Sequence, residues 1–343
     1  MGANPQSVTV FASGTLAYVA NKDADTVSIV DLQSQVEIEE IRVGDSPVGV
    51  AISPEGRFLA IAELGSDTIR FVHGRTLTTL SVIPVGDRPY GLSYTPDGHF
   101  LLVTHLLKGE ISVIPVRPYR RFLPTISSGG SGQGVVAARN TRPQSMQPGT
   151  NVFTVTTWPH IAPAPSVVVN TAGTRAFLPQ TMANGQGLNT QFDNTVFPKV
   201  SVLNLETWVH QSSEHISLPE IDRPVGLPWD VALARNDTEL WIVNSASNDI
   251  SVVDITNPAV PAPRAHLTVG HNPRSIVFAP GGSRAYINNT LSGTISVIDT
   301  EQYTITAEIE ITDIPLPPLL LNGKPVRCWN TSSINPDSRL ISP

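Results

Sequence analysis

Two residues that could carry out proton or metal chemistry occupy the same place in neighbouring repeats of this sequence. Glu63 and His105 lie 42 positions apart (105 − 63 = 42), each at the end of a predicted strand. A carboxylate near an imidazole can act as a general acid–base pair, and with His271 the two could ligate a divalent metal. The alternative is that both are exposed loop ends. The other four repeats carry amides at this place: Gln180 and three asparagines, Asn21, Asn244 and Asn289. We interpret the asparagines as caps of the loops that follow.

A second group of polar and aromatic residues lies in the linkers before the first strand of each repeat. If the strands of a repeat run antiparallel, these linkers and the loops after the second strands fall on one face. The mouth of a central channel would lie there, and we expect a ligand or partner at that mouth. The alternative for the Gly-Asp-x-Pro aspartates is turn chemistry. Besides Glu63 and His105, the candidates on this face are Asp45, Asp87, Arg88, Tyr90, Trp229, Asp230, His271 and Arg274.

Regular spacing of glycine and proline defines the elements that position these residues. Gly44, Pro47, Pro54 and Gly56 recur 42 positions later, as Gly86, Pro89, Pro96 and Gly98. Trp241, Asn244 and Asp254 recur 45 positions later, as Tyr286, Asn289 and Asp299. Tandem units of this length are typical of arrays in which one unit cannot bury its own apolar face.

Each repeat has the pattern of four short strands. The chain contains 30 prolines and 25 glycines, and Val, Ile and Thr fill the runs between them, as in residues 26–30. We therefore predict an all-β fold, a β-propeller of four-stranded antiparallel blades. Six repeats are visible. Their first strands are expected near Ser7–Ala12, Val48–Ser53, Tyr90–Thr95, Ser166–Asn170, Trp229–Ala234 and Arg274–Ala279.

Composition excludes several other classes of protein. The 343 residues carry a net charge of −7 without a basic block, which argues against nucleic acid as a partner. No apolar run is long enough for a membrane span, and no signal peptide opens the chain as given. The single cysteine, Cys328, excludes an internal disulfide and a covalently attached c-type haem in this chain. No nucleophile elbow or phosphate-binding loop is present, so no catalytic residue is assigned.

The repeats also set the domain boundaries. We expect the propeller over residues 1–312 and an extended C-terminal connector over 313–343. Two repeats carry insertions: a Ser-, Gly-, Arg- and Pro-rich loop at about 117–150 and an Asn- and Gln-rich loop at about 181–198.

Three repeats resemble the YVTN-type propeller family. Tyr18-Val19-Ala20-Asn21 is followed by a Thr-Val-Ser-Ile-Val-Asp strand, and the segments from Trp241 and Tyr286 repeat this pattern. The resemblance covers about residues 2–312 and implies a WD40/YVTN-like propeller. Members of this family commonly have seven blades, so the chain is expected to be a fragment of a seven-bladed ring. The family includes surface proteins, lyases, lactonase-like enzymes and cofactor-protein subunits, so the resemblance predicts the fold better than the activity.

The C-terminal tail has a second resemblance. Leu321-Asn322-Gly323-Lys324, followed by Asn330, Pro336, Leu340 and Ser342, is similar to the connector of bacterial fusions between a propeller and a di-haem peroxidase-like cytochrome c domain. This implies haem c on a domain downstream, none in this chain, and a periplasmic or cell-surface location. The implied partner is a protein, or an appended cytochrome c domain.

Taken together, the sequence predicts a non-catalytic extracytoplasmic module that binds or docks a partner, and the resemblance of the tail implies that this module is the propeller part of a cytochrome fusion. The alternative is a propeller lyase or lactonase-like hydrolase with a metal at the channel mouth, held by residues such as Glu63, His105 and His271. A structural surface-layer repeat is the third hypothesis.

Overall fold

The computed structural model of the chain describes residues 2–11, 14–117, 152–157, 163–183, 196–211, 213–221 and 223–311. These residues form six antiparallel sheets in a propeller ring, numbered here as blades 1 to 6 in chain order. The predicted all-β class and six four-stranded repeats are confirmed. The expected connector, 313–343, and nearly all of the expected insertion at 117–150 lie outside the described residues.

Each blade consists of strands that are consecutive in the chain. Blade 1 contains β1 (Pro5–Val10), β2 (Leu16–Asn21), β3 (Thr26–Asp31) and β4 (Val36–Arg42). Blade 2 contains β5 (Pro47–Ile52), β6 (Phe58–Glu63), β7 (Thr68–His73) and β8 (Thr79–Pro84). Blade 3 contains β9 (Pro89–Tyr94), β10 (Phe100–His105), β11 (Glu110–Pro115) and β12 (Phe153–Thr156). Blade 4 contains β13 (Val168–Val169), β14 (Arg175–Ala183), β15 (Val196–Asn204), β16 (Val209–His210) and β17 (Ile216–Ser217). Blade 5 contains β18 (Pro228–Ala234), β19 (Glu239–Asn244), β20 (Asp249–Asp254) and β21 (Ala262–Thr268). Blade 6 contains β22 (Pro273–Phe278), β23 (Arg284–Asn289), β24 (Thr294–Asp299) and β25 (Thr304–Glu310). A 3-10 turn (Lys22–Ala24) and a one-turn helix, α1 (Leu218–Ile221), complete the elements.

Blade 4 departs most from the repeat. Strands β14 and β15 stay paired as far as Ala183 and Val196, so the two ends of the expected loop at 181–198 belong to strands. Its outer edge is divided, because β16 and β17 pair with different parts of β15. Only the middle of that predicted loop, residues 184–195, lies outside the described residues.

Glycine closes the turn between the first and second strands. Gly56 has φ +72° and Gly98 has φ +69°, a left-handed conformation that a residue with a Cβ adopts at a cost. The backbone nitrogen of Gly56 donates to the carbonyl of Ser53, and that of Gly98 to the carbonyl of Thr95. These tight turns explain the recurring Pro-x-Gly spacing in the sequence.

The core consists of five clusters of buried apolar side chains, one between each pair of consecutive blades. Trp241 illustrates the packing between blades 5 and 6, since it is fully buried and meets the ring of Phe278 edge to face at 5.5 Å. Alternation along each strand sends successive side chains to the two neighbouring interfaces. The blades are thus held as a stack around an axis, with their first strands innermost.

In five blades the pairing between the first and second strands shifts its register near the start of the first strand. The proline that opens the first strand pairs with the last residue of the second strand, and the register then slips by one residue. The extra residue of such a β-bulge is left outside the regular ladder and can point in a new direction. The bulged residues are Gln6, Val48, Tyr90, Trp229 and Arg274, and all five line the space on the propeller axis.

Candidate functional site

The residues that end the second strands are buried. Glu63 and His105 are each only 1% exposed, which contradicts the expectation of exposed loop ends. The amides at the same place in the other blades are equally buried. Asn21 shows the common arrangement, because its Nδ2 donates to the hydroxyls of Thr26 and Ser28 on the following strand. The position therefore ties the second strand to the third within each blade.

Glu63 makes its contacts inside blade 2. Its Oε1 accepts from the backbone nitrogen of Gly44 at 2.7 Å and from Nε of Arg70, while Oε2 accepts from the hydroxyl of Thr68 at 2.6 Å. The buried carboxylate is thus paired with a cation and satisfied by hydrogen bonds, as burial of a charge requires.

His105 is held in the same way inside blade 3. Its Nδ1 lies 3.1 Å from the carbonyl oxygen of Asp87, and its Nε2 lies 2.9 Å from the hydroxyl of Ser112. A carbonyl can only accept, so Nδ1 carries the hydrogen and Nε2 accepts from Ser112. Burial lowers the pKa of His105, which favours this neutral tautomer.

Each of these two candidates is therefore bonded within its own blade. Among the described residues, no three His, Cys, Asp or Glu side chains are grouped closely enough to hold a metal ion, so Glu63, His105 and His271 do not form a ligand set. His271 lies in the linker to blade 6, where its backbone nitrogen donates to the hydroxyl of Ser292.

The glycine in each Val-Gly-x-x-Pro linker lies directly against the buried strand-end side chain. A Cβ on Gly44 would come within 2.3 Å of Oε2 of Glu63, and one on Gly86 within 3.2 Å of Cε1 of His105. The recurring glycine is thus explained by a close approach of the linker to the strand end.

The charged candidates of the linkers take part mainly in loop contacts. Asp45 accepts a hydrogen bond from the hydroxyl of Ser46, next to it in the chain. Asp87 forms an exposed ion pair with Lys108, with 3.0 Å between Oδ2 and Nζ. Arg88 has φ +52°, so its backbone turns sharply at this point. These contacts agree with the alternative of turn chemistry.

The sequence did not lead us to predict a pair of hydrogen bonds that connects some blades to the linker that follows them. Asp67 has φ +54°, its carbonyl accepts from the backbone nitrogen of Val85, and its Oδ1 accepts from that of Arg88. Asp25 and Asn248 make the same two bonds to the linkers that follow blades 1 and 5. The signal was available, since a short polar residue precedes the third strand at the repeat spacing in each case.

The remaining candidates meet on the axis. A cavity of about 560 Å³ is lined by the first strands of blades 1, 2, 3, 5 and 6 and by the segment just before β13 in blade 4. Tyr90, Trp229, Asp230 and Arg274 line it, whereas Glu63, His105, Asp45 and Asp87 do not. The volume is within the range of small-molecule sites in proteins.

One wall of this axial cavity combines a cation with two aromatic rings. The guanidinium carbon of Arg274 lies 3.7 Å from the centroid of the Trp229 ring. Tyr90 meets Trp229 edge to face at 5.9 Å. Arg274 is oriented by a 2.7 Å hydrogen bond from its Nε to Oδ1 of Asn272. Burial lowers the pKa of Arg274, but a guanidinium still keeps its charge at neutral pH.

Asp230 has a different role, because its carboxylate is used by the protein itself. Oδ1 accepts from the hydroxyl of Ser166 in blade 4 at 2.6 Å and from the backbone nitrogen of Val231 at 2.9 Å, and Oδ2 accepts from the backbone nitrogen of Ile276 in blade 6 at 3.0 Å. Burial raises the pKa of this carboxyl, and the three hydrogen bonds oppose the rise. The carboxylate therefore connects blades 4, 5 and 6 at the wall of the cavity.

Fold and site together define an all-β propeller with a ligand-sized axial cavity. The family model for the cytochrome D1 heme domain matches residues 6–94, about a quarter of the chain. This match covers blade 1 from Gln6 onwards, all of blade 2 and all of β9, and so includes Tyr90 but not Trp229, Asp230 or Arg274. No curated protein sequence matches the chain.

Solved structures of other propellers are similar in fold. A Kuenenia stuttgartiensis hydrazine synthase structure has 18% sequence identity and a TM-score of 0.53, covering 87% of this chain and 96% of the other. The Myceliophteria thermophila Cps50 (Swd1) beta-propeller domain has 12% identity and a TM-score of 0.66, covering 91% and 88%. A functionally unknown protein from Desulfotomaculum acetoxidans has 12% identity and a TM-score of 0.60, covering 86% and 79%. At these identities the likeness is one of fold.

Proposed function

We propose that this propeller is a non-catalytic binding module whose binding site is the axial cavity. The carrying observation is the position of Arg274 over the Trp229 ring, with Tyr90 at the ring edge. A guanidinium binds carboxylate or phosphate oxygens, and the adjacent rings offer a flat apolar surface. Asp230 adds a carboxylate, but its oxygens accept bonds from the protein. The ligand class that fits is a small anion with a flat apolar part.

Calorimetry with matched probes tests this assignment. Naphthalene-2-carboxylate should bind the protein, and the neutral naphthalene-2-carboxamide should bind at least about tenfold more weakly, since hydrogen bonds to a charged group contribute about 1.5–3 kcal/mol. Arg274→Met should abolish this preference. Arg284→Met is the matched control, because Arg284 is an exposed arginine of the same blade that does not line the cavity. Equal binding of both probes, or an equal effect of Arg284→Met, would contradict the assignment.

We also propose that a haem protein is the macromolecular partner. The partial match to the cytochrome D1 heme domain supports this. Haem iron is held in proteins by His, Cys, Met or Tyr. In the described lining of the cavity Tyr90 alone belongs to these types, and burial raises the pKa of its hydroxyl, which disfavours the tyrosinate. These residues do not fit a haem iron, so the haem belongs to the partner in this proposal.

A basic c-type cytochrome is the probe for this partner. The net charge of −7 favours association with a positively charged surface, and such association weakens as salt screens the charges. Light scattering at low and high salt should therefore show a complex that dissociates as salt is added. Two separate species at low salt would contradict the proposal.

A periplasmic or cell-surface location belongs to the same proposal. Among the described residues, no helix has the length and apolar character that a membrane crossing needs.

The alternative of a metal-dependent lyase or hydrolase is less well supported. It relied on Glu63 and His105, and both side chains are bonded within their own blades. The similar solved structures share only the fold, so their names carry no activity to this chain.

A further inference from the structure

The interface between blade 6 and blade 1, called the seam here, differs from the other five. Val8 in β1 is 61% exposed, whereas Val50, its counterpart 42 positions later, is 6% exposed between blades 1 and 2. On the other side of the seam Val277 is 62% exposed. Asn288 is exposed, while its counterpart 45 positions earlier, Val243, is fully buried. Within the described ranges, no cluster of buried apolar side chains joins these two blades.

The seam is continuous with the axial cavity. Asn288 and Thr290 of blade 6 and Ser7 of blade 1 line that cavity, although Asn288 lies on the second strand, β23, and Thr290 directly follows it. Two partly exposed sheet faces thus border the cavity on either side of the seam.

The chain leaves blade 6 in the geometry of a blade-to-blade linker. The backbone nitrogen of Ile311 donates to the carbonyl of Gly293 at 2.8 Å. After blade 2 the corresponding nitrogen, of Val85, donates to the carbonyl of Asp67 at 3.0 Å, and the chain then enters the next blade. The described chain thus ends at Ile311 in the position from which a linker enters the next blade.

The sequence after Ile311 repeats the beginning of a blade. Asp313 and Pro315 have the spacing of Asp45 and Pro47. Residues 334–339, Ile-Asn-Pro-Asp-Ser-Arg, correspond to residues 52–57, Ile-Ser-Pro-Glu-Gly-Arg. The stretch between these two matches is longer by 14 residues ((336 − 315) − (54 − 47) = 14). On this alignment Ile341 corresponds to Leu59, which is fully buried against the preceding blade.

We propose that residues 313–343 dock in the seam, rather than extending away as a connector. Docked there, this segment would cover the exposed valines of blade 6 on one side and of blade 1 on the other. Burying Val8 and Val277 provides the hydrophobic gain that drives docking. The inference is independent of the ligand assigned to the axial cavity.

Hydrogen exchange on the full chain, read by mass spectrometry, tests the proposal. The amides of residues 334–342 should exchange at least about tenfold more slowly than in the unfolded chain. Val277→Asp, on the seam, should remove this protection. Val260→Asp is the matched control, because Val260 is 69% exposed in a loop of blade 5, and it should leave the protection intact.

A second variant, within residues 334–342 themselves, keeps the test decisive if Val277→Asp disturbs the packing of blade 6. Ile341→Asp should release residues 334–342 while exchange in the six blades stays as in the parent protein. Unprotected amides in the parent protein would overturn the proposal in favour of a connector. Protection that appears only as the mass doubles with concentration would overturn it in favour of a second copy of the chain in the seam.

Discussion

The backbone nitrogen of Ile276 in blade 6 donates a 3.0 Å hydrogen bond to the carboxylate of Asp230 in blade 5. Because the other carboxylate oxygen of Asp230 accepts from Ser166 in blade 4, one side chain joins three blades at the axis. Glycine occupies the same place in blades 2 and 3, where a Cβ on Gly49 would come within 2.2 Å of the carbonyl oxygen of Tyr90. The inner strands therefore leave room for a side chain at this place only in some blades. In blade 5 the side chain of Asp230 fills that room and joins blades 4, 5 and 6.

Replacing Asp230 should destabilise the whole ring. Asp230→Ala leaves the donors of Ser166, Val231 and Ile276 without their acceptor, and we expect a loss of about 3 kcal/mol in the free energy of unfolding. Urea denaturation measures this loss. Asp45→Ala is the control, because Asp45 is an exposed linker carboxylate that accepts from the neighbouring Ser46. An equal loss for both variants would contradict the role given to Asp230.

Two linker glycines should differ in their tolerance of a methyl group. Gly44→Ala places a Cβ 2.3 Å from the buried Glu63 carboxylate, which is held by Arg70 and cannot move freely. Gly86→Ala places one 3.2 Å from the His105 ring, a contact that a small shift relieves. We expect Gly44→Ala to cost about 2 kcal/mol or more and Gly86→Ala clearly less, by thermal or urea unfolding. The reverse order would show that the close approach does not explain the glycines.

The fold could be predicted because each repeat carries the same local signals. Pro and Gly mark the turns, and alternation marks the strands, so six blades follow from spacing alone. Tyr90, Trp229 and Arg274 could also be assigned to the axial end of the first strands. The spacing did not show that they occupy a β-bulge, because a register shift depends on how two strands pair.

The roles of Glu63 and His105 could not be predicted from their position. Both stand out in sequence because amides occupy the same place in the other repeats. Their burial and their partners, Arg70 for the first and Ser112 for the second, depend on how the linker folds over the strand end. Two unusual residues in one structural position thus suggested a catalytic pair, where the structure shows two different solutions to the same bonding requirement.

That interpretation predicts that His105 is replaceable by the residue used in blade 4. Gln180 donates from Nε2 to the hydroxyl of Thr157 and accepts from Ser201, so an amide satisfies this position. We expect His105→Gln to change the free energy of unfolding by less than about 1 kcal/mol, and His105→Leu to cost about 2 kcal/mol, because Ser112 loses its acceptor. Equal losses for Gln and Leu would argue that the imidazole itself is required.

A histidine at the outer edge of blade 4 should make the protein sensitive to acid. Burial lowers the pKa of His210 to about 4, with smaller effects of the same sign from His215 and Lys199. In the unfolded chain the pKa of a histidine is about 6.5, so the unfolded state binds more protons between these two values. The contribution of His210 to the free energy of unfolding should therefore be constant above about pH 7 and fall as the pH drops towards about 4, by up to about 3 kcal/mol.

His210→Leu removes this titration and places an apolar side chain in the buried position. Urea unfolding at about pH 7 and about pH 5 should show a smaller loss of stability in the variant than in the parent protein, even if the variant is less stable at both pH values. Comparing each protein with itself at the two pH values separates the titration from the packing change. An unchanged difference between the two pH values would mean that protonation of His210 does not limit stability, since the remaining acid-sensitive groups are common to both proteins.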